Sequence, residues 1–193
     1  MDITWPLTQK ISEINLLLDF LKKESIKTVL EIGTFMGGTA LVWANHVFPD
    51  GRVISVDFRK MEHYFYTGTD LEKCMIPIWG DSHELNTLFK VDSILNGEKV
   101  DFLFIDGDHS FEGVKKDFQM YSNFVRIGGL IGFHDILDTE FHRNLAPPDG
   151  PVEVCELWNE IKSEYESFEM LDPSGDRTFM GIGVVRWDSK EKV

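Results

Sequence analysis

The stretch Thr28-Val-Leu-Glu-Ile-Gly-Thr-Phe-Met-Gly-Gly-Thr39 decides the fold of this 193-residue chain. Its first five residues, ending at Ile32, are mostly β-branched and apolar, which is typical of a buried strand. The loop that follows contains three glycines, Gly33, Gly37 and Gly38. Glycine lets a backbone turn tightly and approach a ligand closely because it has no Cβ. Since residues 41–47 then follow a helical pattern, the stretch predicts a strand, a binding loop and a helix.

Acidic residues accompany this loop. Glu31 lies one residue before the end of the first strand, where we expect a structural role or a polar contact with a ligand. A second strand, Arg52 to Val56, ends in Asp57, whose carboxylate suits ribose hydroxyls. The glycine spacing differs from the dinucleotide fingerprint, and the lysine of a phosphate-binding P-loop is missing. The pattern therefore predicts a nucleoside site, with Thr34 of the loop among its contacts.

Composition favours a small-molecule partner. The chain has 19 basic and 33 acidic residues, a formal net charge of −14. Nucleic acids and anionic membrane surfaces are bound through clustered lysine and arginine, so neither is an expected partner. The two cysteines form no CxxC pair, and no apolar stretch approaches the roughly 20 residues that span a bilayer. Because the first residues also lack the pattern of a signal peptide, we expect a cytoplasmic protein.

Helical and strand patterns alternate along the chain, which predicts an α/β fold with a mostly parallel sheet and helices on both faces. We expect a helix capped by Thr8, later helices over 82–95, 111–125 and 152–165, and a C-terminal hairpin. The predicted strands are 28–32, 52–56, 75–79, 100–105, 128–133, 168–171 and 178–187. The interpretation is one domain, residues 1–193. It comprises an N-terminal helix (1–25), a cofactor-binding core (26–135), and an acceptor loop with the hairpin (136–193).

Polar residues follow the strands, where ligands bind in parallel sheets. Beyond Glu31 and Asp57, these are Asp81 with Ser82 for the adenine edge, Asp106 to His109, and His134 with Asp135. So much acid at one sheet edge is electrostatically costly without a positive partner, such as a ligand with an ammonium group or a metal ion.

The acid followed by a glycine-rich turn resembles the first motif of class I S-adenosylmethionine-dependent methyltransferases. The runs Asp106-Gly-Asp-His109 and Phe133-His-Asp135 resemble a narrower family, small-molecule O-methyltransferases that include antibiotic sugar and cephalosporin-biosynthesis enzymes. The resemblance implies a Rossmann-like three-layer sandwich, whose seven-stranded, mostly parallel sheet contains an antiparallel last strand. It also implies S-adenosylmethionine as cofactor, with Asp106 among its contacts, and a hydroxylated small molecule as methyl acceptor.

The same resemblance implies a divalent metal on Asp106 and Asp135. Oxygen ligands suit Mg²⁺, whereas participation of His134 would favour Mn²⁺, Fe²⁺ or Zn²⁺. Asp108 is a third candidate ligand. His109 is the candidate general base, since an imidazole can accept a hydroxyl proton near neutral pH. The alternative for His109 is a purely structural bond to Asp135.

Other residues carry weaker expectations. Four histidines are predicted to be ordinary surface residues: His46, His63, His83 and His142. Trp43 and Trp158 are predicted core residues, and residues 58–73 are either a lid or a packed loop. The loop after Asp135 makes Phe141, His142 and Arg143 candidate acceptor contacts. The alternative functions are a metal-independent N-methyltransferase and a non-catalytic nucleoside-binding protein. Assembly into a homo-oligomer is compatible with either.

Overall fold

The computed structural model describes residues 9–60, 62–145, 150–178 and 180–188. Seven strands form one sheet: β1 (Thr28–Ile32), β2 (Arg52–Asp57), β3 (Met75–Trp79), β4 (Val100–Ile105), β5 (Val125–His134), β6 (Ser167–Met170) and β7 (Ile182–Arg186). The helices are α1 (Ile11–Leu21), α2 (Gly38–Val47), α3 (Leu85–Leu95), α4 (Phe111–Tyr121), α5 (Glu140–Asn144) and α6 (Val154–Ile161). Two 3₁₀ turns occupy Asp70–Cys74 and Ser122–Phe124.

The strand order is β3-β2-β1-β4-β5-β7-β6. The first five strands are parallel, while β7 lies between β5 and β6 and is antiparallel to both. The chain runs outward from β1 in one direction to β3, then returns to β4 on the other side of β1. Loops that leave β1 and β4 therefore diverge, and such a switch point opens a crevice at the carboxyl ends of the strands. The predicted mostly parallel sheet with an antiparallel C-terminal strand is confirmed.

Two apolar layers enclose the sheet. On one face, α1 and α2 pack against it, and Trp43 contacts the rings of Phe102 and Phe104 at centroid distances of 5.4 and 5.1 Å. On the other face, α3, α4 and α6 cover it, and Trp158 packs 6.2 Å from Phe133. Both tryptophans are almost completely buried, which confirms their prediction as core residues.

Several element ends differ from the sequence prediction. The helix predicted over 82–95 begins at Leu85, because the Asp81 carboxylate accepts the amide of His83 at 2.8 Å and holds a turn. The helix predicted over 111–125 gives way to a 3₁₀ turn after Tyr121. The strand predicted to start at residue 128 starts at Val125, and its pairing with β4 shifts register between Val100 and Phe102.

The two ends of the chain also differ from prediction. Helix α1 starts at Ile11 with Lys10 at its N-cap position and no side-chain cap, whereas the predicted cap, Thr8, lies outside the described residues. The helix predicted over 152–165 covers Val154–Ile161, and the strand predicted over 178–187 covers Ile182–Arg186. Before that strand, Met180 and Gly181 have positive φ angles of 72° and 90°, which are incompatible with extended pairing.

Candidate functional site

A cleft of about 990 Å³ opens at the carboxyl ends of the parallel strands. The predicted site residues that line it are Gly33, Thr34, Gly38, Asp57, Asp81, Ser82, Asp106, His109, His134 and Asp135. Two predicted contacts, Glu31 and Gly37, are not among its lining residues. The sheet thus collects residues more than 100 positions apart into one depression, as the strand-end pattern predicts.

The glycine loop is shaped by close backbone contact. Gly33 has φ +89°, and a Cβ at this position would lie 2.0 Å from the carbonyl oxygen of Asp106. Gly37 has φ +82°, and a Cβ there would lie 3.0 Å from the ring of Tyr66. Gly33 therefore lets the loop after β1 touch the loop after β4, while Gly37 lets Tyr66 pack behind the loop.

Residues 58–73 support this loop. Tyr64 and Tyr66 stack at 5.1 Å, and the amide of Phe65 donates to the carbonyl of Met36 at 3.1 Å. Tyr66 is buried, whereas Phe65 lines the cleft. Of the two interpretations left open by the sequence, the structure shows a packed loop whose aromatics brace the glycine turn. Phe58, Arg59 and Phe65 of this segment line the cleft.

Glu31 lies behind the glycine loop. Its side chain is fully buried, and Trp43 Nε1 donates to Oε1 at 2.8 Å. Burial raises the pKa of Glu31 to about 8, despite stabilising hydrogen bonds from Thr39 and Trp43. An acid with that pKa is mostly protonated at neutral pH. The structure therefore gives Glu31 a supporting position between the loop and α2, away from the cleft surface.

The acids that follow β2 and β3 are held by backbone amides. Asp57 Oδ2 accepts from Phe35 N at 2.6 Å and Oδ1 accepts from Arg59 N at 2.8 Å. Asp81 Oδ1 accepts from His83 N. Each carboxylate oxygen has a second lone pair, so a ligand hydroxyl or amino group can still bind to these positioned acids.

At the ends of β4 and β5, beside the glycine loop, two carboxylates and two imidazoles form a compact cluster that we call the His–Asp cluster: Asp106, His109, His134 and Asp135. His134 Nδ1 lies 3.1 Å from Asp106 Oδ1 and 3.2 Å from Asp135 Oδ2. His109 Nε2 lies 3.3 and 3.5 Å from the same two oxygens. One nitrogen of each imidazole therefore faces both carboxylates.

The cluster is mutually stabilised by charge. Burial disfavours the ionised forms, but His134 and His109 hold the pKa of Asp106 below its usual value, and His134 does the same for Asp135. Burial likewise opposes protonation of the imidazoles, yet the two carboxylates raise the pKa of His109 and raise that of His134 well above the usual value. A proton that reaches His109 is thus stabilised there by two negative charges.

The donor set also fits a divalent cation. Ligand atoms of Asp106, His134 and Asp135 all lie within 4.8 Å of one another, and the two carboxylates have enough negative charge for such an ion. Asp108 is not in this group. Its Oδ1 accepts the amide of Ser110, the residue before α4, at 2.9 Å. Metal ligation by the three residues stays a prediction.

Gln9 and His83 contact the site and were missed in the sequence, and His142, a predicted acceptor contact, makes a contact with Asp135 that was not predicted. Gln9 Nε2 donates to Asp106 Oδ2 at 2.6 Å. His142 is buried, with Nδ1 2.9 Å from Leu137 O and Nε2 3.5 Å from Asp135 Oδ1. His83 lines the cleft, with Nε2 3.2 Å from the buried carboxylate of Asp117. The expectation that His83 and His142 are ordinary surface residues is therefore wrong. The reason is that their partners lie on other elements.

The other two histidines that were predicted to be surface residues lie outside the cleft, whereas part of the acceptor loop lines it. His63 is exposed and His46 is half-buried, and neither lines the cleft. Of the predicted acceptor contacts, Phe141 and His142 line the cleft, with Phe141 54% exposed. Arg143 does not line the cleft and instead pairs with Asp138.

A family model described as a methyltransferase domain matches residues 30–136, more than half of the chain and the whole region from β1 to the His–Asp cluster. The chain belongs to this methyltransferase family. The methyltransferase predicted from the sequence is thereby confirmed. The matched span covers the glycine loop, the acids after β2 and β3, and both halves of the cluster.

Curated and solved relatives extend the likeness. Caffeoyl-CoA O-methyltransferase of Medicago sativa is 28% identical over 186 residues, covering 92% of this chain and 72% of the relative. The O-methyltransferase TomG of Streptomyces achromogenes, solved with SAM, superposes with a TM-score of 0.69 at 17% identity, covering 94% and 82% of the two chains. The O-methyltransferase of Bacillus cereus, solved with SAH, gives 0.66 at 18% identity, covering 92% and 82%. The two structures show that the fold is shared.

No helix in the described parts of the chain is long and apolar enough to cross a membrane.

Proposed function

We propose that this methyltransferase transfers the methyl group of S-adenosylmethionine to a hydroxyl group of a small molecule. The observation that carries the proposal is one cleft with a glycine loop and Asp57 at one end and the His–Asp cluster at the other. The first end has the features of a nucleoside site, and the second has groups that bind and deprotonate a hydroxyl. The relatives named above are O-methyltransferases by name, which supports oxygen over nitrogen as the acceptor atom.

In the donor half, Asp57 would accept hydrogen bonds from the ribose hydroxyls, since both of its oxygens are already oriented by backbone amides. Asp81 and Ser82 would contact the adenine edge. Backbone groups at Gly33, Thr34 and Gly38 would lie against the amino-acid end of the ligand, where no side chain intervenes at the glycines. The negative charge of this half favours a ligand that carries a sulfonium and an ammonium group.

In the acceptor half, His109 would accept the proton of the reacting hydroxyl. As the bond between the methyl carbon and sulfur breaks, the bond between that carbon and the acceptor oxygen forms, and the hydroxyl proton moves to neutral His109. Asp106 and Asp135 then stabilise the imidazolium, because one oxygen of each lies within 3.5 Å of Nε2. The protein's main contribution is to align acceptor and donor, since an in-line displacement depends strongly on orientation.

Asp106, Asp135 and His134 would hold a divalent metal in this proposal. Such an ion would lower the pKa of the acceptor hydroxyl and so lessen the basicity required of His109. Mg²⁺ suits the carboxylates, whereas ligation by the imidazole of His134 would favour Mn²⁺, Fe²⁺ or Zn²⁺.

The proposal extends to the setting of the enzyme. A formal charge of −14 supports a small-molecule acceptor over a nucleic acid, and we place the enzyme in the cytoplasm. Within residues 1–193 as one domain, residues 26–135 would bind the cofactor. The loop that carries Phe141 and His142 would border the acceptor.

Calorimetric titration with S-adenosylmethionine tests the donor half, with and without Mg²⁺ or Mn²⁺. Asp57→Ala should weaken binding roughly 10- to 100-fold, because charge-assisted hydrogen bonds contribute about 1.5–3 kcal/mol. Asp50→Ala is the matched control, since Asp50 is exposed before the opposite end of β2 and should not alter the affinity. Folded wild-type protein that fails to bind S-adenosylmethionine would refute the proposed reaction.

A further inference from the structure

The ring of His134 lies on the face of the sheet that α1 and α2 cover. His134 ends β5, and its ring lies 6.5 Å from that of Phe104, a residue buried in the apolar layer between the sheet and α1 and α2. Its Nδ1 faces the two carboxylates of the His–Asp cluster. Its other nitrogen, Nε2, is buried and has no hydrogen-bond partner among the described residues.

Glu13 of α1 is buried in the same layer. Its side chain is completely inaccessible to solvent, and Oε2 accepts from the amide of Gly181 at 3.0 Å. Gly181 directly precedes Ile182, the residue of β7 that pairs with His134 across the sheet. The carboxylate of Glu13 therefore reaches the backbone beside His134 from the helix above it.

The second carboxylate oxygen of Glu13, Oε1, is also buried without a hydrogen-bond partner in the described part of the chain. Leaving a buried donor or acceptor unpaired costs about 1–3 kcal/mol per group. One donor, His134 Nε2, and one acceptor, Glu13 Oε1, are thus unpaired in the same layer.

We propose that Glu13 is a positioning residue for His134, whose Nε2–H donates to Oε1 of Glu13 directly or through one water. When Nε2 keeps its proton for Glu13, Nδ1 is the ring nitrogen left to interact with the carboxylates of the cluster or with a metal ion. Histidines that bind metals commonly donate their other ring N–H to a carboxylate, which sets ring orientation and tautomer. The consequence for catalysis rests on the proposed function, whereas the hydrogen bond itself can be measured without methyl transfer.

Gln9 adds a second contact from the same segment, since its amide nitrogen donates to Asp106 Oδ2 at 2.6 Å. Gln9 and Glu13 would thus both contact the His–Asp cluster from the N-terminal segment. One positions a carboxylate and the other positions an imidazole. Neither role is visible in the motifs after the strands, because both residues precede β1.

Nitrogen-15 NMR of histidine-labelled protein, without metal and at one fixed pH, tests the hydrogen bond in the wild type. A His134→Gln variant identifies the His134 signals. We expect a low-field, slowly exchanging proton on Nε2 of His134. A His134 ring in the wild-type protein that has no proton on Nε2 would overturn the proposal, and this result needs no variant at Glu13 to fold.

The variant Glu13→Gln separates positioning from simple packing. If the amide oxygen keeps the bond to Gly181 N, the amide NH₂ faces Nε2 and can only donate. We therefore expect the low-field, slowly exchanging Nε2 signal to disappear, because the proton on Nε2 loses its hydrogen-bond acceptor. We also expect Mn²⁺ binding, measured by calorimetry, to weaken about 10- to 100-fold, the usual effect of losing such a partner. An unchanged Nε2 signal in a folded Glu13→Gln protein would contradict the proposal.

Asp101→Asn is the matched control. This carboxylate is also partly buried, but it lies at the start of β4, where it accepts from Lys27 N, Thr28 N and Arg126 Nε at 2.7–3.0 Å. We expect Asp101→Asn to lower stability while leaving the His134 signal unchanged. A similar loss of the Nε2 signal in this variant would show a general structural effect and would overturn the specific role of Glu13.

Discussion

The two ends of the cleft hold their acids in different ways. At the glycine-loop end, Asp57 and Asp81 accept backbone amides from residues close by in space and mostly close in sequence. At the other end, Asp106 and Asp135 face imidazoles from three different segments of the chain. Acids bonded to backbone amides are held in one geometry. Acids bonded to histidines can exchange protons with their partners.

Because of this difference, we expect the two ends of the cleft to have different functions. A rigid set of acceptors suits the binding of a ligand that does not change its protonation, such as a ribose. A pair of carboxylates that share two imidazoles suits a step in which a proton moves. Substitutions at the glycine-loop end should therefore change affinity and stability, and substitutions in the His–Asp cluster should change turnover.

The largest effect is expected for His109→Asn. Loss of a general base typically lowers kcat about 100- to 10,000-fold. Because His109 lies beyond the donor half of the cleft, the affinity for S-adenosylmethionine should stay within about twofold. Steady-state kinetics with an identified hydroxylated acceptor, together with calorimetry, measure the two quantities on the same protein.

His63→Asn is the control for this experiment, since His63 is exposed and does not line the cleft. It should leave both kcat and affinity unchanged. If His109→Asn weakened cofactor binding but left turnover at saturation unaltered, the division of work between the two ends would be wrong.

Gly33→Ala should have the next largest effect, on stability. The added Cβ would lie 2.0 Å from Asp106 O, and the residue would also keep a φ of +89°. Overpacking against backbone together with a left-handed conformation should cost roughly 3 kcal/mol or more in the free energy of unfolding. Urea denaturation measures this loss, and binding of S-adenosylmethionine should be abolished or strongly weakened.

Gly68→Ala separates the two causes. Gly68 has a similar φ of +78°, but a Cβ there would have no neighbour within 4 Å. Its cost should therefore be about 1 kcal/mol, from backbone conformation alone. Equal losses in the two variants would show that contact between the loops after β1 and β4 contributes little.

The same contrast explains how much could be predicted from the sequence. The glycine loop, Asp57 and the alternation of elements are local patterns, so their places in the fold followed from residues a few positions apart. Asp106, His109 and Asp135 were found because each follows a strand whose end could be predicted. Their convergence then followed from the parallel sheet.

Other contacts had no local signal. Gln9 contacts Asp106 across 97 positions, and His83 contacts Asp117 from a turn that sequence patterns merged into α3. Glu31 stood in the expected motif, but only the packing of α2 shows that its carboxyl group lies behind the loop. Such positions depend on tertiary packing, which periodicity and spacing do not specify.

Glu31→Gln tests the position of that acid through pH. Burial raises the folded-state pKa of Glu31 from the ordinary value of 4.5 to about 8, so protonated Glu31 is favoured in the folded protein. Its contribution to stability is fully present below pH 4.5 and is lost as pH rises through about 8. Glutamine does not ionise and lacks this dependence. Relative to wild type, the variant should therefore gain about 2.5 kcal/mol between pH 6 and pH 9.

Urea denaturation of both proteins at the two pH values checks this expectation. Groups that titrate in both proteins cancel when the two free energies of unfolding are subtracted at each pH. A constant difference from pH 6 to pH 9 would mean that Glu31 is already ionised at neutral pH, in contact with solvent or with a cation. Glu31 would then be part of the charged surface of the cleft, and its assignment as a buried support of the loop would be wrong.

The smallest effect is expected for His142→Leu, at the border between the cluster and the acceptor loop. His142 connects Leu137 O and the amide of Met180, and its Nε2 lies 3.5 Å from Asp135 Oδ1. Removing these polar contacts should cost about 1 kcal/mol of stability. Because Asp135 would lose one neighbour and keep His109 and His134, kcat/KM for the acceptor should fall only about tenfold.

His46→Leu provides the matched control, as a half-buried histidine in the last turn of α2 that does not line the cleft. It should change neither acceptor kinetics nor cofactor affinity. A loss of cofactor affinity in His142→Leu, with unchanged acceptor kinetics, would place His142 functionally with the glycine-loop end. The boundary between the cofactor-binding end and the acceptor-binding end of the cleft would then lie within the acceptor loop. Asp135 would contribute to both ends.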